Sequence, residues 1–231
     1  MVVAVPRLLG LRASALRHHR CIVRRVPPLC AKAMSPGMLG APGGRTSFAG
    51  SSAQELAAWL SSGGIALDAY GKGPAKSLEQ LWAEVEEGET QLFLQGGRPL
   101  REVSVLTVIL QNSKGQTLYE AEQVLPNGSR RTRGLPLSEK LLPGERWQDA
   151  AVRGVVEELG PVLPEQPVVE VDEQSMIETV ESKESQSYPG LLSKYVCKRV
   201  NARIPSGLPE TDFCTHEERS DGRLQHCWVW R

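Results

Sequence analysis

The sequence predicts a mixed sheet packed by helices, an α/β or α+β sandwich, with a short helical extension ahead of it. Three observations lead there. Apolar residues recur at helical spacing in 53–62, 78–87 and 146–159. They alternate, or fill short runs, in 102–110, 117–125, 168–171, 175–180, 191–204 and 224–230. The two kinds of segment interleave along the chain, as they do when helices cover a sheet.

Length and charge bound what such a fold can do. The chain has 231 residues, 40% hydrophobic and 23% charged, enough for one sizeable core. No apolar run approaches the roughly 20 residues that span a bilayer, so no membrane span is expected. The formal net charge of zero hides an asymmetry. Residues 1–54 hold eight bases and no acid, which leaves the rest of the chain near −8. A net-acidic body repels phosphate backbones, which disfavours general nucleic-acid binding.

The leading residues 1–52 are rich in Arg, Ala, Ser, Gly and Pro, and their apolar stretches are broken by arginines. This pattern predicts a disordered organelle transit segment rather than a secretory signal. Its length and persistent Ser, Gly and Pro favour the chloroplast, with the mitochondrion as alternative, and VPPLCAKAM (26–34) suits processing near Ala31. A basic tail with no address is the plainer reading of the same composition. Five cysteines without a CxxC pattern suit reduced thiols. Cys214, His216, His226 and Cys227 suggest a zinc set, but their spacing fits no standard site.

Residues 53–97 form the helical extension. AQELAAWLSS (53–62) places Leu56, Trp59 and Leu60 on one face and ends at Gly63-Gly64. GKGPAKS (71–77) has a Gly-x-Gly and two lysines but not the phosphate-loop pattern, so it reads as a loop. Ser77 and Gln80 make a capping box for a second helix striped by Leu78, Leu81, Trp82 and Val85 and ending at Gly88.

Residues 98–231 form the main domain. From Glu102 both faces of a strand are apolar or small, and Thr117–Leu125 is expected to return beside it as a hairpin across Asn112–Gly115. Pro126-Asn-Gly128 then turns into the basic SRRTRG. A helix over 146–159 has an apolar face of Trp147, Ala150, Ala151, Val155 and Leu159 and stops at Gly160-Pro161. Strands follow at 168–171 and 175–180, a polar loop at 182–190, and a long strand at 191–204. A last strand at 224–230 carries Trp228 and Trp230 on one face.

The helix over 146–159 carries the chemistry. Positions three and four apart share a helix face, so Arg153 can pair with Glu157. Residue 154 faces the same way as Glu157 and Glu158, and an acid there would complete three carboxylates. Glu145 precedes the helix and can fold back towards it. A hard divalent cation needs only one or two protein carboxylates, the rest coming from water and substrate phosphate. The plainer reading of the Glu157–Glu158 pair is a solvated face.

EKLLPGERWQDAAVRGVVEELG, within 139–162, resembles the Nudix box, G-x5-E-x7-R-E-U-x-E-E-x-G-U with U aliphatic. Glu145, Arg153, Val155, Glu157, Glu158 and Gly160 fall in register. The resemblance implies fold class α/β, a Nudix-like mixed-sheet α/β/α sandwich that hydrolyses a nucleoside diphosphate linked to another group, with Mg²⁺ or Mn²⁺ held by the box glutamates. It makes Glu157, Glu158 and Glu145 candidate metal ligands. Arg153, Glu157 and the orienting Glu145 are the candidate catalytic set.

Three positions depart from the box: Glu139 replaces the opening Gly, Pro161 the final aliphatic, and Gly154 a Glu that in many members is a ligand or the base. A positioned base contributes roughly 10²–10⁴ in rate. Glu181, Glu184, Glu210, Asp212, Glu217 and Glu218 are the acids from which a substitute could come. The alternative is a non-catalytic Nudix-fold protein that binds a nucleotide or a protein partner.

Overall fold

The structure, a computed structural model, describes residues 22–25, 44–219 and 222–231. Most of the leading segment 1–52, Leu8 and Leu9 included, lies outside them. Within it, β1 (Ile22–Arg25) and β2 (Arg45–Ser47) are strands. Then follow α1 (Ala53–Ser62), α2 (Leu78–Glu86), β3 (Gln91–Gln95), β4 (Arg98–Leu110), β5 (Leu118–Val124), β6 (Arg130–Leu135) and β7 (Leu137–Lys140). Next come α3 (Trp147–Leu159), a 3-10 turn (Gly160–Val162), β8 (Val168–Glu184), β9 (Leu192–Arg203), β10 (Phe213–Arg219) and β11 (Gly222–Trp230).

The architecture is mixed α/β, with two sheets. The larger runs β1-β8-β9-β4-β3-β2, with β7 on the same edge of β4 as β3 but further along it. β4 pairs parallel with β9 and β1 parallel with β8, the other pairs being antiparallel. The smaller sheet runs β10-β11-β5-β6. The main core fills the space where α3 meets both: Leu106, Val108, Val169 and Val200 from the large sheet, Leu118 and Trp228 from the small one, and Ala150, Ala151, Val155 and Leu159 from the helix.

The two leading helices start as their residues dictate. The Ser52 hydroxyl accepts from the Glu55 amide, and Ser77 and Gln80 form a reciprocal capping box. Leu56, Leu60 and Leu81 pack with Leu92, Tyr188 and Leu191 in a second core. Beside it a carboxylate is almost out of water: Glu84, 5% exposed, accepts from Lys76 (2.6 Å), Arg101 (2.8 Å), Thr90 and Tyr188 (3.0 Å each). Lys140 Nζ lies 3.3 Å away. Burial would raise this carboxyl, but the surrounding lysines and Arg101 outweigh it and hold Glu84 far below the carboxylate range. Lys76 of the Gly-x-Gly loop is thus committed to the fold.

Several expectations need correction. β4 and β5 do not form a hairpin; they meet only at the Gln111–Thr117 bridge and belong to different sheets. The reason is that β9 takes one edge of β4 while β3 and β7 take the other. The strands expected at 168–171 and 175–180 are one strand, irregular between Asp172 and Ile177. There the Ser175 hydroxyl donates to the Asp172 carbonyl at 2.7 Å and accepts from the Asn201 amide at 2.8 Å. The polar loop at 182–190 is strand as far as Glu184 and then buries Tyr188 completely. The acid-rich stretch before the last strand contains β10. β2 and Phe48, on the transit side of residue 52, join β3 and the second core.

Candidate metal and hydrolytic site on helix α3

Pro143 and Gly144, the latter at φ 75°, turn the chain into α3. The apolar face then commits Ala150, Ala151, Gly154, Val155 and Leu159 to the core, which leaves Arg153 and Glu157 towards solvent. Arg153 is the hub. Its Nε donates to Glu145 Oε1 at 2.9 Å and one terminal nitrogen to Glu145 Oε2 at 3.0 Å. The same nitrogen donates to the Lys140 carbonyl at 2.8 Å. The other lies 3.0 Å from Glu139 and 3.4 Å from Glu157. Against its burial, these acids hold Arg153 protonated well above its ordinary range. Glu145 Oε2 also accepts from the Leu142 amide at 3.0 Å, so the guanidinium fixes the loop as well as the carboxylates.

Gly154 sits in a tight contact with β7. A Cβ there would stand 3.1 Å from Glu139 Cβ and 3.2 Å from a Leu137 methyl. Its φ is not in the positive range, so the helix itself does not require glycine. β7 crosses α3 so closely that a side chain at 154 would press on Glu139 and Leu137, which would have to give by a few tenths of an ångström. The box places Gly first and Glu second; this chain has the reverse, and Glu139 brings its carboxylate to Arg153 from the strand. Burial raises the Glu139 carboxyl above its ordinary value despite Arg153. Sequence reading took Glu139 and Gly154 as two separate departures.

Glu158 lies on the side of α3 turned to the small sheet. Burial, reinforced by Glu120, Glu139 and Glu217, pushes its carboxyl up to about 8. Facing it are His226, named in the sequence only as part of a zinc set, and Glu120, whose pairing with it the sequence did not show. His226 Nδ1 lies 2.6 Å from Glu120 Oε1, and Glu120 also accepts from Gln123 at 2.6 Å and Arg133 at 3.0 Å. These donors hold Glu120 below the carboxylate range against its burial. Burial works against charge on His226, yet the acids around it raise it to about 9. His226 Nε2 is buried with no hydrogen-bond partner; Glu217 Oε2, at 3.7 Å, is too far for one. Glu120 and His226 carry no local motif, and only strand pairing brings them together.

The structure therefore gathers Arg153, Glu145 and Glu157 and turns Glu158 towards the small sheet, still within electrostatic reach of Glu139. Among the described residues no group of three or more His, Cys, Asp and Glu is disposed to hold a metal ion. Of the acids considered as a substitute base, Glu217 is felt at Glu158. Glu181 pairs with Lys183, Glu184 with the Gly190 amide, Glu210 with Lys114, Asp212 with the Trp230 amide and Glu218 with Arg223. The imagined zinc set is also divided. Cys214, His216 and Cys227 lie on the outer face of the small sheet, and His226, one residue from Cys227, on the inner. No described helix is long and apolar enough to cross a membrane.

The chain matches no family model, and no curated protein matches it.

Proposed function

We propose that the chain is a Nudix-like, divalent-metal-dependent hydrolase of a nucleoside-diphosphate-linked compound, working on the solvent side of α3. The observation that carries this reading is the Arg153 hub, where Glu139, Glu145 and Glu157 surround one guanidinium. Glu158 adds a further carboxylate that is costly to ionise as it stands. The donor chemistry suits Mg²⁺ or Mn²⁺: hard carboxylate oxygens in excess of the local positive charge. Glu157 and Glu158 would hold the cation. Glu145, with both oxygens on Arg153, takes the orienting role. The metal would neutralise charge on the phosphates and activate water. Arg153 keeps the acids in place and ties the loop over 141–145 to the helix. The acid-free leading segment adds a chloroplast address to this reading, a mitochondrial one being the alternative.

A screen of nucleotide sugars, dinucleotides and pyrophosphates with Mg²⁺ and Mn²⁺ tests it. The reading expects at least one compound to be cleaved, and Glu157→Gln to cut that rate by roughly 10²-fold or more. A native protein inert across the screen overturns it. The second reading, a non-catalytic protein that binds a nucleotide or a protein partner, is favoured by one observation: no three-donor group is assembled among the described residues. It gains if a nucleotide raises the melting temperature without being consumed.

A further inference from the structure

β10 and β11 are antiparallel, and their register places Cys214 directly opposite Cys227. Such pairs have Cα atoms about 4.5–5.5 Å apart, inside the range that a disulfide spans. The two sulfurs are already in contact at 2.6 Å, on the outer face of the small sheet. Cys214 is exposed and Cys227 half-buried, so one thiol is open to reagent and the other waits behind it. Cys197 lies on β9 in the other sheet, opposite Val105 and Thr179, with no thiol across from it.

We propose that Cys214 and Cys227 are a dithiol site that a small-molecule disulfide, of the glutathione class, converts to a cross-strand bond. The Cys214 thiolate attacks one sulfur of the reagent; a mixed disulfide forms and the first small thiolate leaves. Cys227 then gives its proton to solvent and attacks the Cys214 sulfur. The protein Sγ–Sγ bond forms as the second small thiolate leaves. Two electrons pass from the protein dithiol to the reagent, which departs as two thiols after protonation. The order follows from access, Cys214 being exposed and Cys227 half-buried behind it. On the opposite face the same strands carry Thr215, which accepts from the Trp228 indole at 2.8 Å, and His226. The bond would pin the ribbon that presents His226 to α3. This inference is independent of the hydrolase reading.

The test treats the reduced, full-length native protein with glutathione disulfide, alkylates remaining thiols, and maps the peptides. The expected result is a Cys214–Cys227 linked pair within one chain, an alkylated Cys197, and a melting temperature about 5 °C higher that reverts with reductant. The Cys227→Ser variant should stop at the mixed disulfide on Cys214. The proposal is overturned if Cys214 and Cys227 are both alkylated, if each carries its own glutathione, or if the link joins two copies or involves Cys197.

Discussion

At position 154 the choice of residue depends on its neighbour in space, not on its place in the helix. Glycine inside a helix costs about 1 kcal/mol relative to alanine, and here that cost leaves room for Glu139 and Leu137. A carboxylate added at 154 alone, the apparent repair of the box, therefore presses on Glu139 and Leu137 of β7. We predict that Gly154→Glu destabilises the protein by about 2 kcal/mol, the scale of overpacking a tight contact. Combining it with Glu139→Gly should recover roughly 1 kcal/mol or more relative to the sum of the single changes, since the two side chains compete for one space. Urea unfolding of the four proteins in a double-mutant cycle measures this. Additive costs would mean that the two positions do not share that space.

The elements of the leading region are held to the sheet by charge as well as by apolar packing. Glu84 on α2 reaches Arg101 on β4 and, through its other oxygen, Lys140 at the end of β7. The carbonyl of Lys140 in turn accepts from Arg153. Removing the charge in Glu84→Gln leaves Arg101, 5% exposed, without its counter-ion. A buried pair broken on one side costs about 3–5 kcal/mol. We predict a loss of at least about 3 kcal/mol for Glu84→Gln, against about 1 kcal/mol for Tyr188→Phe, which gives up one hydrogen bond on the same carboxylate. Denaturant midpoints at constant slope measure both. A cost for Glu84→Gln no larger than that for Tyr188→Phe would mean that the network is solvated.

Over the whole molecule, what the sequence disclosed was local. The capping box of Ser77 and Gln80, the apolar stripe of α3 and the strands at 191–204 and 224–230 each need only a few neighbours, and all read correctly. The same holds for Arg153 with Glu157, four apart on one helix. The rest depended on contacts between distant residues: β5 leaving β4 for β11, β7 crossing Gly154, and Glu120 meeting His226 across 106 positions. His226 and the Glu158 that it faces set the pH behaviour of the fold between about pH 5 and pH 9. Glu158, raised from 4.5 to about 8, and His226, raised from 6.5 to about 9, keep protons that the unfolded chain has released. Their contributions are complete below 4.5 and 6.5 and are lost as pH rises through 8 and 9. Stability should therefore fall from about pH 5 to pH 9 in the absence of metal. A cation held by Glu157 and Glu158 would take the place of the proton on Glu158, so its benefit should be greatest at the alkaline end. The most direct measurement is the melting temperature at pH 8 as Mg²⁺ or Mn²⁺ is added to the native protein and to Glu157→Gln. The account predicts a saturable rise of several degrees for the native protein, with midpoint shifted at least about tenfold or lost in Glu157→Gln. A native melting temperature unmoved by either metal would contradict it.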